Sequence, residues 1–454
     1  MKILKSDLIV CFLLLLLAIV FTYIVENLNV QYYQLLILIT YVLAVLYSMK
    51  KDFVIITLFL FSLFIFQYGR LVLLPLLFNK EITISWFRYY EFSQETVKFI
   101  YKILFYNILG ILFGMLLFKS TKISKIYKKK ELSPKTKQIF FYILIICFVF
   151  FIINNFLFLK IFYSYGGYLN YYLGVEIPKV NIFIRITSAV FYPLLIILLT
   201  YYHENKKDKY LLYFLFFSTN FIFSLKGARS PLFSSVFILF YLNVKKFKIK
   251  NLIVIFCCCS CLIMSLGFFS NIRREEIEKN FGIKERVNEF ILSQGITGSF
   301  IGLLKDKPEL FERKVPYIFS SILGKKINSR EDKNILLPGN INLDTQMSAR
   351  SNYSMFKNGY GMGGNYIIEM YDLGKTFGIL ILSFIHTYLS LYFFQNLNKF
   401  NYYFKVLLFF VLDYYFLIPR ASYFPNIFNI KLGYIVFIYL IILIIDKFFK
   451  RKRC

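Results

Sequence analysis

The sequence predicts an all-α integral membrane protein of about twelve transmembrane helices with one large external loop, and three observations predict it. Hydrophobic residues fill 58% of the 454 positions, with 56 Phe and 37 Tyr. That is more apolar surface than a soluble chain of this length can hide from water. The apolar residues come in uninterrupted runs of membrane-crossing length, not at an amphipathic period. One stretch, residues 271–375, breaks the pattern and is mostly polar, with 16 basic and 13 acidic residues.

The first run, residues 8–25, follows Met1-Lys-Ile-Leu-Lys-Ser-Asp7 and resembles a signal peptide. No small-residue cleavage site follows it and it is long enough to span, so a retained first helix is expected. Further spans are expected over 32–49, 53–78, 96–118, 139–159, 183–202, 210–225, 231–243, 251–270, 376–395, 406–417 and 432–445. The runs at 210, 231 and 406 are short. This divides the chain into residues 1–270 with helices 1–9, residues 271–375 as the external loop, and residues 376–454 with helices 10–12 and a basic cytoplasmic tail. Inside the loop, residues 273–291 and 308–323 mix charge and apolar side chains at near-helical spacing, so short helices and no strand are expected there.

Basic residues test the threading, because Lys and Arg collect in cytoplasmic segments. With the N-terminus inside, those segments hold 26 Lys and Arg, eight of them between Lys119 and Lys137. Both termini are therefore expected in the cytoplasm and the large loop outside. A formal charge of +29 would suggest nucleic acid in a soluble protein; here the basic loops lie where a bilayer puts them, and no nucleic-acid partner is expected. Cys257, Cys258, Cys259 and Cys261 sit in an apolar run with no His or carboxylate nearby, and read as packing residues.

The missing motifs exclude several chemistries. There is no phosphate-gripping G-x-x-x-x-G-K-[ST] and no H-E-x-x-H, and His203 and His386 are the only histidines. What remains is cationic. Arg70 ends the apolar part of the third span. Lys226 and Arg229 occupy the tight turn Lys226-Gly-Ala-Arg-Ser-Pro231, Arg350 precedes a glycine-rich segment, and Arg420 follows Ile418-Pro419. Arginine binds phosphate oxygens in bidentate fashion, and the small residues around Arg229 leave room for a ligand. In Gly359-Tyr-Gly-Met-Gly-Gly364, Gly361 and Gly363 supply either an anion-binding nest before a helix or a hinge, with Tyr360 just before them as a flat face for a sugar ring. Glu369 and Asp372, spaced i, i+3, share a helical face. One is a candidate general base; pairing with an arginine is the alternative.

These features together resemble the Wzy-type polysaccharide repeat-unit polymerases of O-antigen and capsule. The resemblance rests on about a dozen spans, the Lys226–Pro231 turn, the large loop after the ninth span, Gly363-Gly-Asn-Tyr-Ile-Ile-Glu369 leading to Gly374-Lys-Thr-Phe-Gly378, and the spacing of Arg350 to Gly361. It implies a GT-C-like, all-helical glycosyltransferase that moves a growing glycan from undecaprenyl pyrophosphate to the next lipid-linked repeat unit. A chain-length regulator and a flippase would be its partners. The leaving pyrophosphate is weakly basic and needs charge neutralisation more than a proton, so Arg229, Arg350, Arg70, Arg420 and Lys226 are the expected donor contacts. Glu369, then Asp372, is the expected base, and no metal or other cofactor is expected. The alternatives are an O-antigen ligase, which is expected to carry a His in the large loop, and a flippase, which is expected to carry charges in several spans.

Overall fold

The computed structural model describes residues 29–78, 82–84, 90–119, 132–164, 181–225, 229–244, 246–248, 250, 251, 254, 283–323, 342–357, 361, 363–423 and 430–451. The expected first span and the expected span over 251–270 lie outside the described residues, apart from positions 251 and 254.

The described chain is helical almost throughout. Helix α1 is Val30–Lys50. Helix α2 runs as Val54–Leu63, a π-helical segment Phe64–Leu73, and Leu74–Phe78. Two short strands, β1 (Thr83–Ile84) and β2 (Tyr90–Glu91), pair antiparallel before α3, Gln94–Leu117. The sequence did not suggest these strands, which are only two residues each. Helices α4 (Pro134–Ser164), α5 (Ile182–Tyr202), α6 (Lys209–Leu225) and α7 (Arg229–Asn243) follow. The large loop contributes α8 (Ile283–Gln294), α9 (Ile296–Asp306), a 3-10 turn Pro308–Phe311, α10 (Tyr317–Leu323), α11 (Leu343–Ser351) and α12 (Tyr353–Lys357). Helix α13 (Tyr366–Gln395), α14 (Tyr402–Tyr415), a 3-10 turn Ile418–Arg420 and α15 (Ile430–Arg451) complete it.

Seven of these helices, α1 to α5, α13 and α15, are long and apolar enough to cross a membrane. Helices α6, α7 and α14 lie over the three short apolar runs at 210–225, 231–243 and 406–417 and are shorter than those seven. Apolar side chains remain exposed on the outside of the bundle, among them Leu43 and Leu46 of α1, Ile146 and Phe156 of α4, and Phe437 and Ile444 of α15. Lipid is the solvent such a surface fits.

Local chemistry fixes the helix starts. Ser93 accepts the Thr96 amide at 3.2 Å and Asn401 accepts the Phe404 amide at 2.9 Å, each satisfying a donor the first turn leaves open. Between α3 and α13 the packing is set by Gly110 and Gly114. A Cβ at Gly110 would lie 2.5 Å from the Leu380 carbonyl oxygen, and one at Gly114 would lie 2.6 Å from Thr387 Cβ. This small-x-x-x-small groove lets two backbones touch where lipid gives no hydrophobic drive for association. Asn107 then donates to Ser383 at 2.8 Å across the same contact.

Helix α13 is two helices in one. Gly374 (φ −158°, ψ 28°) and Lys375 (φ 52°, ψ −138°) leave the helical region, separating an arm 366–373 from a rod 376–395. The arm folds back along the rod. Ser383 Oγ lies 3.5 Å from Met370 Sδ, and the Tyr366 and His386 rings are 6.5 Å apart; in a straight helix those pairs would be about 20 and 30 Å apart. The rod coincides with the expected tenth span, and the arm re-enters the bundle, so that Tyr366 donates to Asn107 at 3.0 Å. Irregular backbone at this depth is tolerated because it is buried in protein.

At one end of the bundle the basic segments meet. Lys137 pairs with Asp208 at 2.5 Å, Asp446 accepts the Ser133 amide at 2.6 Å, and Asp52 accepts the Phe247 amide at 3.1 Å.

Candidate functional site

The site is built on the entry to the re-entrant arm. Gly363 sits at φ +85°, and a Cβ there would lie 3.0 Å from the Arg420 carbonyl oxygen and 3.3 Å from Thr297 Cγ2. At Gly364 a Cβ would lie 3.0 Å from the Ala421 carbonyl carbon. Only glycine lets residues 363–365 pass between the start of α9 and the segment after α14. Asn365 then starts the arm: its Oδ1 accepts the Ile367 amide at 2.9 Å and Gln67 Nε2 at 3.1 Å, while its Nδ2 donates to the Thr297 carbonyl at 2.9 Å. Gln67 also donates to the Pro419 carbonyl at 2.7 Å. Both amides are buried, and together they form a polar shelf joining α2, α9, α13 and the Ile418–Arg420 turn.

Gln67 and Arg70 belong to the π-helical segment of α2. A wider i→i+5 turn is rare over such a length and is often associated with function. Here it delivers Gln67 to the shelf and Arg70 to the loop helices. Arg70 Nη1 donates to the Leu292 carbonyl, and the side chain crosses Gly295, where a Cβ would lie 2.5 Å from Arg70 Cβ. Arg420 Nη1 donates to Gln294 Oε1, and its guanidinium lies 5.9 Å from the Phe66 ring centroid. Two arginines from distant parts of the sequence thus converge on residues 292–295, beside the glycines.

Glu369 lies one turn beyond Asn365 and is fully buried. Its Oε2 accepts the Tyr423 amide at 2.7 Å; its Oε1 has no hydrogen-bond partner among the described residues. An unpartnered carboxylate oxygen in such a place needs a reason. His386 stacks on Tyr415, with centroids 5.4 Å apart and planes at 6°, and lies 4.8 Å from Phe59, as a packing residue does.

Asp372 and Arg350 belong to a neighbouring cluster. Asp372 Oδ1 receives Arg313 Nε and its Oδ2 receives the Tyr317 amide at 2.9 Å. Arg313 Nη2 also donates to the Asp372 carbonyl at 3.0 Å. Arg350 Nη1 reaches the carbonyls of Glu309, Leu310 and Glu312 at 3.1, 3.0 and 3.2 Å, tying α11 to the Pro308–Phe311 turn. Burial holds the Tyr317 phenol above its ordinary range.

Of the residues the sequence singled out, the structure therefore brings Arg70, Arg420 and Gly363 together at residues 292–297, puts Glu369 one turn along the arm from that entry, and sets Asp372 and Arg350 in the neighbouring cluster. Arg229 is the first residue of α7, its side chain outside the described residues, as are Lys226 and Tyr360. A Cβ at Gly361 would meet nothing within 4 Å, so no close approach requires glycine there. Although Glu369 and Asp372 stand i, i+3, their partners differ: Asp372 carries the arginine pairing and Glu369 does not. Sequence reasoning missed Gln67, Gln294, Asn365 and Arg313. For Asn365 a signal existed, an Asn followed by the apolar start of a helix. No group of three His, Cys, Asp or Glu suited to a metal occurs among the described residues.

A multi-pass, all-α membrane protein with a re-entrant helix that carries a buried carboxylate one turn beyond a glycine entry where two arginines converge is the class these features define. The chain belongs to the O-antigen polysaccharide polymerase Wzy family, whose profile matches residues 8–453, nearly its whole length. The family is one of glycosyltransferase-type polymerases that join O-antigen repeat units from lipid-linked oligosaccharide. No curated protein and no solved structure matches the chain.

Proposed function

We propose that this protein lengthens an O-antigen or capsule chain by moving the growing glycan from undecaprenyl pyrophosphate to the next lipid-linked repeat unit, at the outer face of the cytoplasmic membrane and without a metal. The observation that carries this reading is the placing of Arg70 and Arg420 at the glycine entry to the re-entrant arm, with Glu369 one turn further on. In the transfer, the bond from the anomeric carbon to pyrophosphate breaks and its electron pair leaves with the phosphate oxygen. The acceptor hydroxyl oxygen bonds that carbon, and its proton passes to Glu369 Oε1. Negative charge grows on the leaving pyrophosphate, and fixed cations in a water-poor site stabilise it best. Arg70 and Arg420 supply this charge, aided by the buried N-terminus of the arm and by Arg229, Lys226 and Arg350. Asp372 is the weaker candidate for base, since both its oxygens already accept hydrogen bonds.

The clustering of basic segments at one end of the bundle supports an orientation with both termini in the cytoplasm and the arm opening outward. A reporter fused after Lys305 is then active outside the cytoplasm; cytoplasmic activity refutes this topology. The activity is tested on purified protein in detergent given the undecaprenyl-pyrophosphate repeat unit of the same organism, with and without chelator. A ladder of glycan lengths that survives chelation is expected. No ladder, but repeat unit crossing reconstituted vesicles, makes the protein a flippase, and glycan moved only to lipid A core makes it a ligase. A chain-length regulator and a flippase are proposed to act with it.

A further inference from the structure

Beside the polar shelf, α13 walls an open cavity of about 520 Å³ whose other side is α9, α10 and the Pro308–Phe311 turn. Its lining combines Phe311, Tyr317 and Tyr371 with Arg313, Asp372 and Lys375. The volume lies in the range of small-molecule sites, which are mostly apolar with a few convergent polar groups. We propose that this cavity is the subsite that seats the acceptor, binding a sugar residue of the incoming repeat unit so that its hydroxyl reaches Glu369.

Charge balance selects sugar over phosphate. Arg313 and Lys375 are offset by Asp372 and by Glu312, which also lines the cavity, so the site has no excess cation for a pyrophosphate. Aromatic walls with interleaved carboxylate and guanidinium suit a ligand that is apolar on its C–H faces and rich in hydroxyls at its edge. Donors remain for it. Arg313 uses Nε and Nη2 on Asp372, and its Nη1 has no partner among the described residues. Lys375 holds its ammonium 5.0 Å over the Tyr371 ring. The Tyr317 hydroxyl, on a side chain 1% exposed, is without a hydrogen-bond partner among the described residues.

The backbone points the same way. Lys375 occupies φ +52°, which a non-glycine residue seldom adopts, directly after Gly374. Such strain gathers where function needs a side chain held at a particular spot; here it places Lys375 at the cavity wall. Ile368 also lines the cavity and is the neighbour of Glu369, and Asp372 is three residues on, about 4.5 Å along the arm. An occupant is thus within a turn of the proposed base. The acceptor role rests on the polymerase reading above; glycan binding by the cavity does not.

The experiment uses purified full-length protein, the variants Lys375→Gly and Tyr371→Ala, and two readouts. One is binding of the lipid-free repeat-unit oligosaccharide, released by mild acid from the lipid-linked form, measured by calorimetry. The other is the rate of ladder formation against repeat-unit concentration. Lys375→Gly removes the ammonium while easing the backbone, so it should melt no lower than wild type yet bind oligosaccharide about tenfold more weakly and raise KM with little change in kcat. Tyr371→Ala is expected to act likewise. A wild-type ladder with unchanged binding and unchanged KM in both variants overturns the acceptor subsite and leaves the polymerase intact. A wild type that makes no ladder, but binds oligosaccharide in a way Lys375→Gly weakens, refutes the polymerase and retains the glycan site. Absence of oligosaccharide binding to wild type overturns the cavity's role whatever the ladder shows.

Discussion

Asn365→Ala removes one helix cap and two bonds between elements at a side chain only 1% exposed. Losing an N-cap costs about 1 kcal/mol. In membrane proteins an interhelical hydrogen bond contributes about 0.6 kcal/mol on average, so the bonds to Gln67 and Thr297 bring the loss to about 2 kcal/mol. If the Thr297 carbonyl and the Ile367 amide find no other partner, each adds about 1–3 kcal/mol, which sets the upper end at about 8 kcal/mol. Asn365→Asp keeps the cap acceptor but loses the donor to Thr297, and should cost about half as much as the alanine. Thermal unfolding in detergent measures the ordering: wild type highest, the aspartate next, the alanine lowest. Asn365 touches no substrate in the proposed reaction, yet it fixes the first turn of the arm and so the height of Glu369, whose amide is bonded to the Asn365 carbonyl at 3.3 Å. Since a displacement of about 1 Å at a reacting group can cost about a hundredfold in rate, the alanine variant should fall in kcat well beyond its loss of folded protein. Wild-type melting and a wild-type rate in Asn365→Ala would refute the shelf as the support of the site.

Glu369→Gln keeps the shape and removes the proposed base; polymerisation should slow by about 10²–10⁴ with lipid-linked substrate still bound, and an unaffected rate in the ladder assay removes Glu369 from that role. Arg70→Ala, Arg420→Ala and Arg229→Ala should each abolish polymer while membrane protein levels, read by immunoblot, stay near wild type; normal chain lengths in all three would end the phosphate-clamp proposal. Arg350→Ala should also shorten or abolish polymer, but with a lowered melting temperature, because three carbonyls lose their donor. Gly114→Val forces a Cβ to within 2.6 Å of Thr387 Cβ and should destabilise by about 1–3 kcal/mol, seen as a lower melting midpoint; a neutral result would mean α3 and α13 are not in backbone contact.

The long apolar runs were legible because they are composition written at membrane length, and α2 to α5 and the rod of α13 fall close to where they were expected. Arg70, Arg420, Gly363 and Glu369 were legible as charge and glycine in apolar surroundings. Their convergence was not, because it depends on pairings far apart in sequence, such as Arg420 with Gln294. The π-helical segment has no residue signature at all; Phe64–Leu73 reads as any other apolar helix. The re-entrant arm was assigned to the loop because Glu369, Asp372, Gly374 and Lys375 dilute its hydropathy, although its lower half is buried among aromatic rings. Neutral amides escape notice in the same way: Gln67 and Asn365 carry neither charge nor a repeating pattern, and only their partners reveal their use.

The doubling back of α13 at Gly374 and Lys375 also divides two mechanical duties. The rod is clamped by the glycine groove of α3 and faces lipid, so bilayer thickness and tilt act on it. The arm is clamped at its far end by Asn365, Gln67 and Tyr423, none of which belongs to the rod. The joint interrupts the hydrogen-bond ladder between them, and Asn107 of α3, bonded both to Ser383 of the rod and to Tyr366 of the arm, references the two to one helix, so the carboxylate is held relative to α3 rather than to the lipid-facing end of the rod.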